Sequence, residues 1–121
     1  MISRTYRFKG HNSLTYLHQK GVMVRAGGMS VRFVENKRRD VYRAAVIVSK
    51  KVHKSAVVRN RIRRRVYEYI RCHIAPTNSY DFAVLVYDEA VANMPAAQLE
   101  NTLDAMFRRS KLTLVHKVES S

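Results

Sequence analysis

The spacing of apolar residues changes several times along this chain, and each change predicts an element. Leu14 and Leu17 fall on one side of a short helical stretch that Asn12 or Ser13 can cap and Gly21 can end. From Met29 to Val34 the pattern alternates. Met29, Val31 and Phe33 point one way, while Ser30, Arg32 and Val34 point the other, which predicts a strand with one face on a core and one freer face. After a polar turn at Glu35–Asp40, the run Val41–Val48 is nearly continuously apolar and predicts a central strand buried on both faces; antiparallel pairing with the preceding strand is the simplest arrangement. Val58, Ile62, Val66, Tyr69, Ile70 and His73 recur at three- and four-residue spacing, predicting a helix from Ala56 to His73 with Ser55 as its N-cap. Pro76, Asn78 and Ser79 mark a loop, Phe82–Tyr87 a second buried strand, and Pro95 the start of a last helix with the stripe Leu99, Leu103, Met106 and Phe107. Val22–Arg25 leaves room for one short extra strand, and Leu112–Ser121 has no period.

The predicted order, α-β-β-α-β-α, is that of an α+β fold, an α-β sandwich in which helices pack on a mixed central sheet. With 121 residues the chain can build one core. Residues 1–111 are read as one domain and 112–121 as a flexible C-terminal tail. The longest apolar runs, Ala44–Val48 and Phe82–Tyr87, are far too short to span a bilayer. The N-terminus MISRTYRFKG lacks a signal-peptide stretch, and Cys72, the single cysteine, excludes an internal disulfide. Together these features fit a cytoplasmic protein with no membrane partner.

Charge alters the picture most. Lys and Arg number 23 against 9 Asp and Glu, a formal net charge of +14. An excess of one sign on this scale repels itself, and a polyanion relieves the repulsion. The excess is concentrated in KKVHKSAVVRNRIRRRVYEYIR, which carries Lys50, Lys51, Lys54, Arg59, Arg61, Arg63, Arg64, Arg65 and Arg71 against Glu68. On a helical wheel Asn60, Arg64 and Arg71 lie opposite Ile62, with Arg61 and Arg63 to either side. Arg59 and Arg65 border the apolar stripe, where long stems can cover core edges. A helix anchored by one face would thus present a fan of guanidinium groups, whose planar forks suit phosphate. Asn60 adds a neutral group able to read a base edge or a 2′-OH. Lys50, Lys51 and Lys54 extend the patch towards the helix N-terminus, where free N–H groups also favour anions. A basic amphipathic membrane helix is the rival reading, but its apolar stripe is already needed to cover a small sheet.

The stretch Val48-Ser49-Lys50-Lys51-Val52, followed by Ala56-Val57-Val58-Arg59-Asn60-Arg61-Ile62-Arg63-Arg64-Arg65, resembles the signature of the bacterial ribonuclease P protein component. The similarity runs in order from about Arg7 to Lys111. It takes in the helix ending at Lys20-Gly21, the start of a strand at Tyr80-Asp81 and the amphipathic last helix. The resemblance implies an α/β sandwich with a left-handed β-α-β crossover, where general rules give a right-handed one. It also implies that the chain joins a catalytic RNA in removing the 5′ leader from precursor tRNA. The RNA would hold the Mg²⁺ that the holoenzyme requires, and the protein would bind no cofactor tightly and no small-molecule substrate. Contact with the RNA is assigned to the Arg-Asn-Arg helix and its flanking cations. The leader is assigned to a cleft between the first helix and the open sheet face, at Leu14, His18, Arg32 and Ser49. The family often carries aromatics where this chain has Leu14, His18 and Arg32, so the leader contact implied here rests on charge and hydrogen bonding more than on stacking.

A nuclease acting alone would need clustered carboxylates or a His/Lys pair beside them. The acids here are scattered, Asp88-Glu89 reads as a loop turn, and the histidines lack ligand spacing. His73 lies on the apolar stripe and reads as a core or edge residue, and Cys72 as semi-buried. Gly27-Gly28 lacks the rest of any phosphate-binding fingerprint. No catalytic or metal-ligating residue is therefore assigned. The alternative function is that of a ribosomal-type structural RNA-binding protein with no linked reaction.

Overall fold

The computed structural model describes residues 11–110 except Arg39 and Pro76, with side chains from Thr15 onward. Helix α1 (His11–Lys20) leads into β1 (Val22–Ala26), β2 (Met29–Glu35) and β3 (Arg43–Val48). Helix α2 (Ala56–His73), β4 (Tyr80–Val86), a 3-10 turn (Glu89–Ala92) and α3 (Ala96–Arg108) follow. The four strands form one mixed sheet in the order β1-β2-β4-β3, with β1–β2 and β2–β4 antiparallel and β3–β4 parallel. The expected short extra strand is present as β1 and runs one residue further, to Ala26.

Two expectations about β3 are corrected. It pairs with β4 rather than with β2, and it is an edge strand. Its burial alternates: Ala44, Val46 and Val48 are buried, while Ile47 is exposed. The apolar run is misleading because Ala45 and Ile47 face outward. The strand buried on both faces is β4, where Asp81, Phe82, Ala83, Val84 and Val86 are all buried. The expected strand Phe82–Tyr87 extends one residue too far, since Tyr87 follows β4 and is exposed. Helix α1 is already formed at His11, so Asn12 and Ser13 lie within it and do not cap it from outside.

Register sorts the side chains into two layers. Val31 pairs with Val84 and Val84 with Val46, so these residues face one side together with Met29, Phe33, Phe82, Val86, Ala44 and Val48. Helices α2 and α3 cover that side. Ile62, Val66, Tyr69 and Ile70 come from α2, and Leu99, Leu103, Met106 and Phe107 from α3. Phe107 anchors the joint: its ring meets Phe82 edge-on and Tyr69 in a stack, both at 5.7 Å between centroids. Truncating a fully buried phenylalanine of this kind costs about 3–5 kcal/mol. Tyr67, absent from the predicted stripe, is also buried, because its hydroxyl reaches the backbone of β3.

Arg25, Ser30, Leu85 and Ile47 form a row across the opposite face, and Arg32, Ala83 and Ala45 form the next. Helix α1 packs against β2 and β4, and its Leu17 is buried outside the main core cluster. Gly21 ends α1 by donating its N–H to the Leu17 carbonyl at 2.8 Å. A Cβ there would meet that oxygen at 2.5 Å, so glycine is required for the close turn. Gly27-Gly28, at φ of 50° and 77°, forms the two-residue turn of the β1–β2 hairpin.

Candidate nucleic-acid interface

The turn between β3 and α2 is held by its own hydrogen bonds. Val52 N–H donates to the Ser49 carbonyl at 3.0 Å, and Ser55 N–H donates to His53 Nδ1 at 3.0 Å. The Ser55 hydroxyl oxygen accepts from Val58 N–H at 3.4 Å, which makes Ser55 the N-cap of α2. Arg59 closes the turn from the helix side, donating to the His53 carbonyl at 2.8 Å and to the Lys54 carbonyl at 3.0 Å. Lys50, Lys51 and Lys54 are exposed on this ordered segment.

The cations of α2 then divide by what they touch. Arg65, at the border of the apolar stripe, donates to the carbonyls of Val91, Ala92 and Met94, the first at 2.7 Å. It straps the helix to the 3-10 turn, which Asp88 caps by accepting from Ala90 N–H at 2.9 Å. Arg61 donates to the Asn93 side chain at 3.0 Å. Arg63 donates to the Asn60 side-chain oxygen, leaving the Asn60 amide NH₂ free to act as a donor. Arg71 pairs with Glu68 one turn back, and its guanidinium holds the Glu68 carboxyl below the usual carboxylate range. Arg64 has no hydrogen bond or ion pair to any described residue, and with Val57, Asn60, Arg63 and Tyr67 it lines a shallow groove on the solvent side of α2. The helix thus carries an outward strip formed by Asn60, Arg63 and Arg64, continued by the three lysines. Its border arginines are turned inward onto backbone oxygens.

On the inner side of α2, His73 is partly buried. Its Nδ1 lies 3.0 Å from the Tyr69 carbonyl, its Nε2 lies 3.0 Å from Glu100, and its ring stacks on Tyr69 at 4.2 Å. Burial, and then the hydrogen bond to Asp104, push the Tyr69 phenol well above its ordinary value. Cys72 is partly buried. The Asp81 carboxylate accepts two hydrogen bonds from Arg43, at 3.0 and 2.7 Å, and one from Asn36 at 3.0 Å. Among the described residues no three His, Cys, Asp or Glu side chains gather closely enough to hold a metal ion.

Of the residues assigned to the leader cleft, the side chain of Leu14 lies outside the described residues. His18 is exposed on α1, and Arg32 lies on the open sheet face as the alternation requires. Arg32 donates to the His18 carbonyl at 3.3 Å, at the electronegative end of α1, and its Nε is buried. Ser49 is exposed one residue beyond the last β3–β4 pair. Ser30 lies on the open face, as the alternation requires, yet it is fully buried, and its hydroxyl shares a 2.8 Å hydrogen bond with the hydroxyl of Tyr87.

Known proteins share this arrangement over nearly its whole length. The ribonuclease P protein component of Synechococcus sp. (strain WH7803) is 27% identical over 93% of this chain and 98% of that protein. The component from Staphylococcus aureus is 28% identical over 93% and 94%. A solved structure of the Staphylococcus aureus ribonuclease P protein, 28% identical, superposes with a TM-score of 0.76 over 88% of this chain and 96% of that one. The ribonuclease P protein from Thermotoga maritima, 19% identical, has the same fold, with a TM-score of 0.72 over 84% and 96%. The family model for ribonuclease P matches residues 2–111, and the chain belongs to that family as a protein component of the ribonuclease.

Proposed function

We propose that this chain is the RNA-holding subunit of a ribonucleoprotein endonuclease, in which a catalytic RNA removes the 5′ leader from precursor tRNA. The observation that carries the reading is the outward strip of α2. Lys50, Lys51, Lys54 and Arg64 stand exposed around Asn60 and Arg63, on a helix fixed to the sheet by its other side. Phosphates on that strip would relieve the mutual repulsion of the cations and release counterions. Family membership supports this over a ribosomal-type structural protein with no linked reaction.

Catalysis is assigned to the RNA on the chemistry of the carboxylates. Asp81 is engaged by Arg43 and Asn36, Glu68 by Arg71, Asp104 by Tyr69 and Glu100 by His73, and among the described residues no three His, Cys, Asp or Glu side chains converge to hold Mg²⁺. The ions belong in this reading to the RNA, and the protein screens phosphate repulsion so that fewer are needed. The leader runs over the open sheet face beside α1, past His18, Arg32 and Ser49. No described helix is long and apolar enough to cross a membrane, and a cytoplasmic setting goes with this role.

Reconstitution tests the reading. The RNA-free protein should leave precursor tRNA intact, the cognate RNA should cleave at high Mg²⁺, and adding the protein should lower the Mg²⁺ requirement. Robust cleavage by the RNA-free protein would overturn it.

A further inference from the structure

An aromatic side chain, Tyr87, stands beside the open face. Tyr87 follows Val86, the last paired residue of β4, and its N–H donates to the Gly28 carbonyl at 2.8 Å. Val86 pairs with Val48, so the next residues, Tyr87 and Ser49, leave the sheet side by side at the end that carries Lys50 and Lys51. The residue is held at both ends, its main chain by that bond and its ring by the 2.8 Å hydrogen bond between its hydroxyl and buried Ser30. Arg25 places its guanidinium carbon 5.4 Å from the ring centroid. Even so, Tyr87 is 47% exposed, and Ile47, in the adjoining row of the open face, is 37% exposed.

A ring fixed this way has little rotamer freedom left to lose on binding, and nearly half of the residue is open to a ligand. Arg25 at the ring and Lys50 and Lys51 at the same end of the sheet, set against the adjacent Asp88 and Glu89, supply cations for a base still attached to its phosphates.

We propose that Tyr87, with Arg25 over its ring and Ser30 on its hydroxyl, is the stacking platform for one nucleobase of the single-stranded leader. This rests on the leader path given above, and it restores the stacking that Leu14, His18 and Arg32 do not supply. The Arg25 side chain has no hydrogen bond to any described residue, so its N–H groups are open to the adjoining phosphate.

The test uses the holoenzyme reconstituted with its cognate RNA, comparing affinity for precursor tRNA with affinity for mature tRNA. Tyr87→Ala should lower the preference for precursor by about fivefold, at the low end for one base–aromatic stack, and leave mature tRNA affinity unchanged. Tyr87→Phe should keep most of the preference. A leader made abasic throughout should erase the difference between wild type and Tyr87→Ala. If the wild type prefers precursor and Tyr87→Ala does so equally, the platform is wrong while the leader path survives. A wild type with no preference for precursor would remove the leader path and the platform together. If Tyr87→Ala weakens precursor and mature tRNA alike, the ring serves holoenzyme assembly and the proposal falls. A measurement independent of any variant is photocrosslinking of wild-type holoenzyme to a leader carrying 4-thiouridine. A crosslink on Tyr87 supports the platform, and crosslinks confined to other segments overturn it.

Discussion

Arg64 and Arg65 are neighbours in sequence and opposites in structure. Arg65 lies at the edge of the apolar stripe and donates to three backbone carbonyls of the segment after β4, whereas Arg64 points to solvent and bonds to no described residue. A turn of about 100° along the helix separates a structural strap from a solvent-facing cation. Counting cations on α2 therefore overstates how many are left without a partner among the described residues. Arg59 and Arg65 are bonded to backbone carbonyls, Arg64 and the lysines are open to solvent, and Arg61 stands between, tied among the described residues to the Asn93 side chain alone.

The largest expected effect comes from breaking the strap. Arg65→Ala leaves the carbonyls of buried Val91 and Ala92 without their charged donor and should cost about 2–3 kcal/mol in urea unfolding. The folded variant should bind RNA with an unchanged salt slope; a reduced slope at full stability would place Arg65 among the residues that touch RNA. The reverse variant, Lys50/Lys51/Arg64→Ala, should unfold within about 0.5 kcal/mol of wild type. Its salt slope for the catalytic RNA should fall by about 1 for each phosphate that the removed side chains neutralise. Arg59→Ala tests the boundary between the classes. Without its bonds to the His53 and Lys54 carbonyls the protein should be about 1 kcal/mol less stable and the lysine turn looser, so that affinity falls more than the slope does. Replacing Arg59, Arg61 and Arg64 together would mix the two classes.

The smallest effect concerns the inner side of α2 and appears only in alkali. The Tyr69 phenol titrates above its unfolded value because it is buried and bonded to Asp104. Its stabilising contribution is complete below the unfolded value near 10 and declines as pH rises beyond it, when the unfolded chain loses a proton that the folded chain keeps. Tyr69→Phe should flatten the fall of stability above that pH while leaving the RNA salt slope at wild-type value.

Much of the fold is legible in local pattern. Helix α2 runs from Ala56 to His73 as its apolar spacing and the Ser55 cap predict, and all four stripe residues of α3 are buried. Pattern fails where the answer depends on residues distant in sequence. Whether an apolar run such as Val41–Val48 lies at the centre or the edge of a sheet depends on where β4, far downstream beyond α2, inserts. The same insertion places β2 beside β4. Tyr67 falls outside the apolar stripe because its burial rests on a hydroxyl partner across the layer. At the candidate site the helical wheel puts Arg59 and Arg65 at the stripe border, but the carbonyls they bind lie in the turn before α2 and in the segment after β4. Tyr87 reads as the end of an apolar run, although buried Val86 immediately before it puts the next side chain on the opposite face.

The bond between Tyr67 and Val46 also bears on self-association. An edge strand offers unpaired backbone groups on which another chain can build a strand. The Val46 N–H, in the middle of β3, donates at 3.1 Å to the Tyr67 hydroxyl. An incoming strand would have to displace that hydroxyl to pair at Val46. The helix that displays the basic strip thus also occupies a backbone donor of the β3 edge and makes that edge a poorer template for another strand.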